Sequence, residues 1–172
     1  MKTKTVYKFL MFVACLWSMT PNSFCGGRQV FATWDSFEVD KCASIWLIKR
    51  FIDPSAMFQF HPKGTHITEG IPFDVPDGNL SRNATKSSFE VLLEHYRLND
   101  PALKKIGQVI HDIEINSWGR KKYKESLKVE RDIMDIITRN HSDRDVLLEK
   151  AIKYFDQLYK EFDSSGRKTP LQ

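Results

Sequence analysis

Residues 43–53 read ASIWLIKRFID, and their spacing predicts a helix. Ile45, Trp46, Ile48 and Ile52 recur at the three- and four-residue steps of one helix face. Asp40 suits an N-cap for a helix from Lys41 to Ile52, and Asp53-Pro54 should end it, because proline lacks an N–H and restricts its predecessor. Set into this apolar run are Lys49, Arg50 and Asp53, at separations that let either cation pair with the carboxylate. Two readings are open. The charges form a solvated, salt-bridged face, or Arg50 offers its fork to an oxyanion or carboxylate while Asp53 holds it. Spacing alone does not separate them.

Outward from this helix, RQVFATW (28–34) has the β-branched and aromatic character of a short strand, and DSFEVD reads as the loop after it. MFQFHP and IPFDVP read as two further short strands bounded by prolines and by Gly64, Gly70 and Gly78, with the loop KGTHITEG between them. From Ser87 onward the pattern is helical. Ser87 or Ser88 caps FEVLLEHYRL, and Asp100-Pro101 is the cap and first position of ALKKIGQVIHDIEI. YKESLKVERDIMDIITRNH follows, then a helix capped near Ser142 whose Val146, Leu147, Ala151, Tyr154, Phe155, Leu158 and Phe162 make an apolar stripe. These elements predict an α+β fold: a single, mostly helical domain with a small β-sheet of about three short strands and four or five helices. No repeat or linker divides the 172 residues, and 41% hydrophobic content suffices for one core without disulfides.

The first 25 residues stand apart. MKTKTVYK is a cationic start, FLMFVACLWSM is apolar but too short to span a bilayer, and TPNSFCGG supplies small residues for cleavage near Cys25 or Gly26. We expect a signal peptide over 1–25, a domain over 26–163 and a disordered tail over 164–172, in an exported, periplasmic protein. FVAC faintly resembles a lipobox, which makes lipid attachment at Cys15 a second processing route. Cleavage takes Lys2, Lys4 and Lys8 from a formal charge of +4 and leaves +1, which disfavours nucleic acid as a partner. It leaves Cys42 as the sole certain cysteine, so no internal disulfide and no Cys-rich metal motif is expected.

Several residues qualify for chemistry. Asp74, between two prolines in PFDVPDG, is a rigidly held site residue or, with Asp77, part of an Asx-type turn. Glu90 fits a capping box with Ser87. His111 and Glu114, three apart on one helix face, can present an imidazole and a carboxylate to one divalent metal ion, with Asp112 orienting a neighbour; His111 as a partly buried hydrogen-bonder is the plainer reading. His61, His66, His95 and His141 show no ligand spacing, and no P-loop, GxGxxG or GxSxG is present. Cys42 reads as a buried structural thiol or, less simply, a nucleophile. Asn79-Leu80-Ser81 and Asn83-Ala84-Thr85 match the glycosylation sequon.

VDKCASIWLIKRFIDPSAMFQF (39–60) resembles the signature of the ChrB-type chromate-resistance domain family. The likeness continues in order through GIPFDVP, SSFEVLLEHYRLNDPAL, VIHDIE and FDQLY. The resemblance implies a role in chromate resistance, by limiting accumulation or regulating the response, without an established reaction. It places the family's signature on Asp40, Ser44, Trp46, Arg50, Asp53, Asp74, Glu90, His111 and Asp112. Two positions depart from the family pattern: Arg82 and Ser87 stand where a His and a Cys are typical, which weakens a metal site and adds charge suited to an anion. The stretch 116–144 follows the family only loosely.

The expected site is a shallow polar one where the first helix, the Asp74 loop and the His111 helix meet. There Arg50, with Lys49 and Arg82, contacts a small inorganic anion such as chromate. Asp40, Asp53, Asp74 and Glu90 orient these cations, and His111, Asp112 and Glu114 are the candidate ligands of a divalent metal. The rivals are a metal-dependent hydrolase or reductase and a non-catalytic interaction module. A DNA-binding regulator is disfavoured by the +1 charge and by export.

Overall fold

The structure, a computed structural model, describes residues 28–116 and 118–166; the expected leader and the last six residues of the chain lie outside them. Strand β1 (Val30–Trp34) leads into helix α1 (Val39–Leu47), which runs on into a separate π-helical turn (Ile48–Ile52). Then come β2 (Met57–His61), β3 (Ile71–Pro72), α2 (Ser88–His95), α3 (Pro101–Glu114), α4 (Lys124–Asn140) and α5 (Arg144–Gly166). The chain is thus the expected α+β type, with five helices and a small sheet ordered β2-β1-β3.

Both strand pairings are parallel. β1 runs in register from Val30↔Met57 to Trp34↔His61 on one side and pairs Phe31↔Ile71 and Ala32↔Pro72 on the other. Parallel neighbours need a crossover, and α1 supplies the first. The third strand is shorter than IPFDVP suggests, because Pro72 and Pro76 cannot donate to a ladder and Asp74 leaves the strand region at φ +50°. A single bridge, Phe73↔Leu80, continues it.

All nine residues of α1 are buried. The helix is enclosed by α2, α3, α4 and α5, so it is not the half-exposed amphipathic helix its charges suggest. Trp46 is the centre of the core. Its ring stacks on Phe89 at 6.4 Å and meets Phe51, Phe155 and Tyr159 at centroid distances of 5.4, 5.7 and 6.0 Å.

Three local expectations change. The helix starts at Val39 with Glu38 at the cap position, and Asp40 sits inside it. Asp40 serves another helix's amides, as described below, and so is not spent on its own. Neither Lys49 nor Arg50 bonds Asp53, because the Asp53 N–H reaches back five residues to Ile48 O at 2.8 Å, and this π-turn breaks the three- and four-residue register. Asp53 instead accepts from the Ser55 N–H and hydroxyl and from the Gln29 N–H. Finally, α5 continues to Gly166, into the tail expected to lack structure, since buried Leu158 and Phe162 anchor its last turns. Among the described residues, no helix is long and apolar enough to cross a membrane.

Candidate functional site

A helix that presents no face to water must satisfy its charged side chains internally, and α1 carries two, Asp40 and Lys41. The Asp40 carboxylate accepts from the Ser88 N–H at 2.7 Å, the Phe89 N–H at 2.9 Å and, weakly, the Ser44 hydroxyl at 3.4 Å. Those two amides open α2, and the Ser87 hydroxyl takes the third, that of Glu90. Glu90 returns a bond to the Ser87 N–H at 2.9 Å, completing the capping box. The N-terminus of α2 is therefore satisfied by its own serine and by a carboxylate from α1, whose negative charge also suits the helix dipole. Burial, foremost, and the nearby Asp74 carboxylate push the Asp40 pKa well above its ordinary range.

Lys41 is 1% exposed. Its ammonium donates to Trp34 O at 3.0 Å and Ser36 O at 2.6 Å, and lies 3.5 Å from Asp74 Oδ2. Asp74 Oδ1 accepts the Ser88 hydroxyl at 2.7 Å, so Ser88 joins Asp40 through its amide and Asp74 through its side chain. The Arg82 N–H donates to the same Ser88 oxygen at 2.9 Å. The Arg82 guanidinium donates to Glu114 Oε2 at 3.1 Å and lies 3.4 Å from Glu38 Oε1, while Glu114 Oε1 accepts the Asp40 N–H at 3.2 Å. The start of α1, the Asp74 loop, the start of α2 and the end of α3 thus meet in one polar network. Beside it opens a cleft of about 550 Å³ lined by Trp34, Ser36, Glu38, Lys41, Lys63, Asp74, Ser81 and Arg82 among others.

Glu114 is a titrating member of this network. Burial first, then the Glu38 charge, raises its pKa from 4.5 to about 7, against the opposing pull of the Asp40 N–H and Arg82. Between those two values the folded state holds a proton that the unfolded chain has lost, so stability falls as pH rises through the window, by up to roughly 3 kcal/mol. Glu114→Gln, which cannot ionise, should remove that slope. Urea midpoints measured from pH 4.5 to 8 are expected to show the variant gaining steadily on the wild type, and parallel curves would refute the assignment.

The other sequence candidates lie elsewhere. Arg50 donates twice to Asp156, from Nε and Nη2 at 2.8 Å each, and Asp156 also accepts the Trp46 Nε1–H at 2.9 Å. Arg50 therefore clamps α1 to α5, about 14 Å along the helix from Lys41 at 1.5 Å per residue. Lys49 donates to Ala56 O at 2.7 Å and lies over the Phe58 ring. His111 Nδ1 meets Glu90 at 2.9 Å.

Asp112, although burial alone would raise its pKa, is held well below the ordinary carboxylate range by hydrogen bonds from Asn116, Ser126 and the Lys122 and Tyr123 amides. It organises the turn into α4. His111, Asp112 and Glu114 take separate partners. Among the described residues no group of three or more His, Cys, Asp or Glu side chains is placed to hold a metal ion. The Cys42 thiol, fully buried, is pushed up to about 12 and is no nucleophile at neutral pH.

Residues 31–162 match the family model described as ChrB, C-terminal domain. The chain belongs to the ChrB C-terminal domain family. It is 32% identical over 144 residues to Protein ChrB of Cupriavidus metallidurans, an alignment that covers 83% of this chain and 43% of that protein. The chain thus spans less than half the length of this curated relative. No solved structure gives a significant match. In this ChrB-type domain the residues that sequence reasoning missed are Lys41, Glu38, Lys63 and Ser88. A usable signal existed for Lys41 alone: a lysine directly beside Asp40 in a helix otherwise made of Val, Cys, Ala, Ser, Ile, Trp and Leu.

Proposed function

We propose that this domain acts in chromate resistance by binding a small oxyanion, chromate, in the cleft of Lys41, Lys63 and Arg82. The observation that carries the reading is a buried ammonium at the wall of an open cleft, with two further cations from separate segments on the same cleft. The charge balance favours an anion more than the residue count suggests. Asp40, Asp74 and Glu114 all have raised pKa values and hold protons more readily than ordinary carboxylates. Glu38, 39% exposed and 3.4 Å from Arg82, is the weakest partner on the guanidinium and the one an incoming oxyanion would displace. Arg50, by contrast, already has Nε and Nη2 engaged by the Asp156 carboxylate, so we assign the anion role to Arg82 instead. The role in chromate resistance comes from the family likeness.

We also propose that the protein works outside the cytoplasm once residues 1–25 are removed. The reading is supported by the leader's sequence.

Titration of the purified protein with chromate tests the site. Arg82→Ala should weaken binding about tenfold or more, which is 1.4 kcal/mol or above, whereas Arg50→Ala should leave the affinity unchanged while lowering stability. Unchanged affinity in Arg82→Ala, or loss of binding in Arg50→Ala alone, would overturn the assignment.

A further inference from the structure

Asp74 has a geometry that a purely cationic anion site does not require. Its backbone lies at φ +50°, a region that Asn and Asp tolerate better than most residues. The residue is 7% exposed. Oδ1 is bonded to Ser88, but Oδ2 is buried without a hydrogen bond. Lys41 lies at 3.5 Å from it, yet the lysine's bonds go to Trp34 O and Ser36 O. A buried carboxylate oxygen that has an ion pair but no hydrogen bond is under-satisfied, and Asp74 lines the cleft. The donor it lacks can come from a molecule in that cleft.

We propose that Asp74 Oδ2 selects among anions by accepting a hydrogen bond from the ligand itself. The favoured class is a tetrahedral oxyanion that keeps an O–H near neutral pH, such as hydrogen chromate or hydrogen phosphate. Sulfate, which carries no proton there, is rejected. This inference rests on the oxyanion reading of the cleft given above.

Lys41, Lys63 and Arg82 are donors only, so they cannot distinguish tetrahedral anions of similar size and charge. An acceptor can. Burial raises the Asp74 pKa against the opposing pull of Lys41 and Ser88; in its ionised form, Oδ2 contributes lone-pair and charge repulsion against a bare sulfate oxygen, reinforced by Glu38, and a charge-assisted hydrogen bond to an O–H. The acceptor is also fixed in place. Ser88 binds its other oxygen, the Arg82 N–H binds Ser88, and the Val75 N–H binds the Ser81 hydroxyl across the loop at 2.9 Å.

Calorimetric titration of the whole protein at pH 7 with chromate, inorganic phosphate and sulfate tests the inference. Chromate and phosphate are expected to bind, with sulfate weaker by on the order of a hundredfold, near the upper end of the cost of a buried acceptor left without a donor. Asp74→Asn keeps the shape, tolerates the positive φ and can donate to a bare oxygen. It should tighten sulfate binding and shrink the preference to within about threefold. Sulfate binding the wild type as well as chromate does, or Asp74→Asn retaining the full preference, overturns the inference. Should the variant fail to fold, the wild-type comparison still decides it. Equal binding of all three anions sinks only the role of Asp74, whereas binding of none removes the oxyanion site and this inference with it.

Discussion

Asp40→Ala is expected to destabilise the protein by roughly 2–4 kcal/mol, from two buried amides losing their acceptor at about 1–3 kcal/mol each, less the relief of no longer burying a carboxyl group. The amides are those of Ser88 and Phe89, and both lie in the closed junction of α1, α2 and α3 where water has no ready access. The damage should spread to the cleft. Ser88 also carries the bond to Asp74 and accepts from Arg82, so a frayed α2 start loosens the walls that hold both groups. Asp40→Asn keeps one acceptor oxygen and should cost less. Urea unfolding of the two variants checks this. A cost below about 1 kcal/mol for the alanine variant would mean that water replaces the carboxylate and the junction is not closed.

Trp46→Ala should cost about 3–5 kcal/mol, the range for removing a fully buried large aromatic. Four aromatic rings from the π-turn, α2 and α5 pack on this one side chain. Its indole N–H also shares Asp156 with Arg50, so truncation opens a cavity and loosens the clamp between α1 and α5 together. Trp46→Phe separates the two contributions. It retains most of the ring packing and drops the hydrogen bond, for an expected loss nearer 1 kcal/mol from the bond, with a smaller cavity added. Thermal and urea unfolding give both values, and a Phe variant as damaged as the Ala variant would shift the weight from packing to the Asp156 bond.

Local chemistry made the element boundaries legible. Ser87, Asp100-Pro101 and Asp53-Pro54 act within a few residues of themselves, and each marks the boundary that the sequence suggests. The stripe on α5 was legible for the same reason, since helical periodicity brings Leu147, Ala151, Phe155, Leu158 and Phe162 to one side whatever they pack against, with Tyr154 at its half-buried edge, although Val146, expected in the same stripe, is exposed. The π-turn was not, because an apolar sequence such as Ile48–Ile52 fits either helix register and the choice depends on where Asp53 and β2 must go.

The destinations of the charges followed from no local rule. In Lys49, Arg50 and Asp53 the sequence offered partners three and four residues apart, and the fold gave Arg50 a carboxylate 106 residues away. Asp40 looked like a cap for its own helix and became one for a helix 48 residues on. His111, Asp112 and Glu114 sat within four residues, yet the fold gave each a different partner: Glu90, the turn into α4, and Arg82 with the Asp40 N–H.

By itself the sequence determined the family, the α+β composition, the caps of α2 and α3 and the presence of many charged residues among core-forming segments. Only the tertiary structure decided which of those charges share a site. The reason is one of range: caps and periodicity are fixed by interactions within a turn or two, whereas burial of every face of α1 is imposed by α2, α3, α4 and α5 together. That enclosure turns Lys41 from an ordinary helix cation into a buried ammonium on a cleft, and leaves Arg50, the most conspicuous charge in ASIWLIKRFID, as a clamp on Asp156.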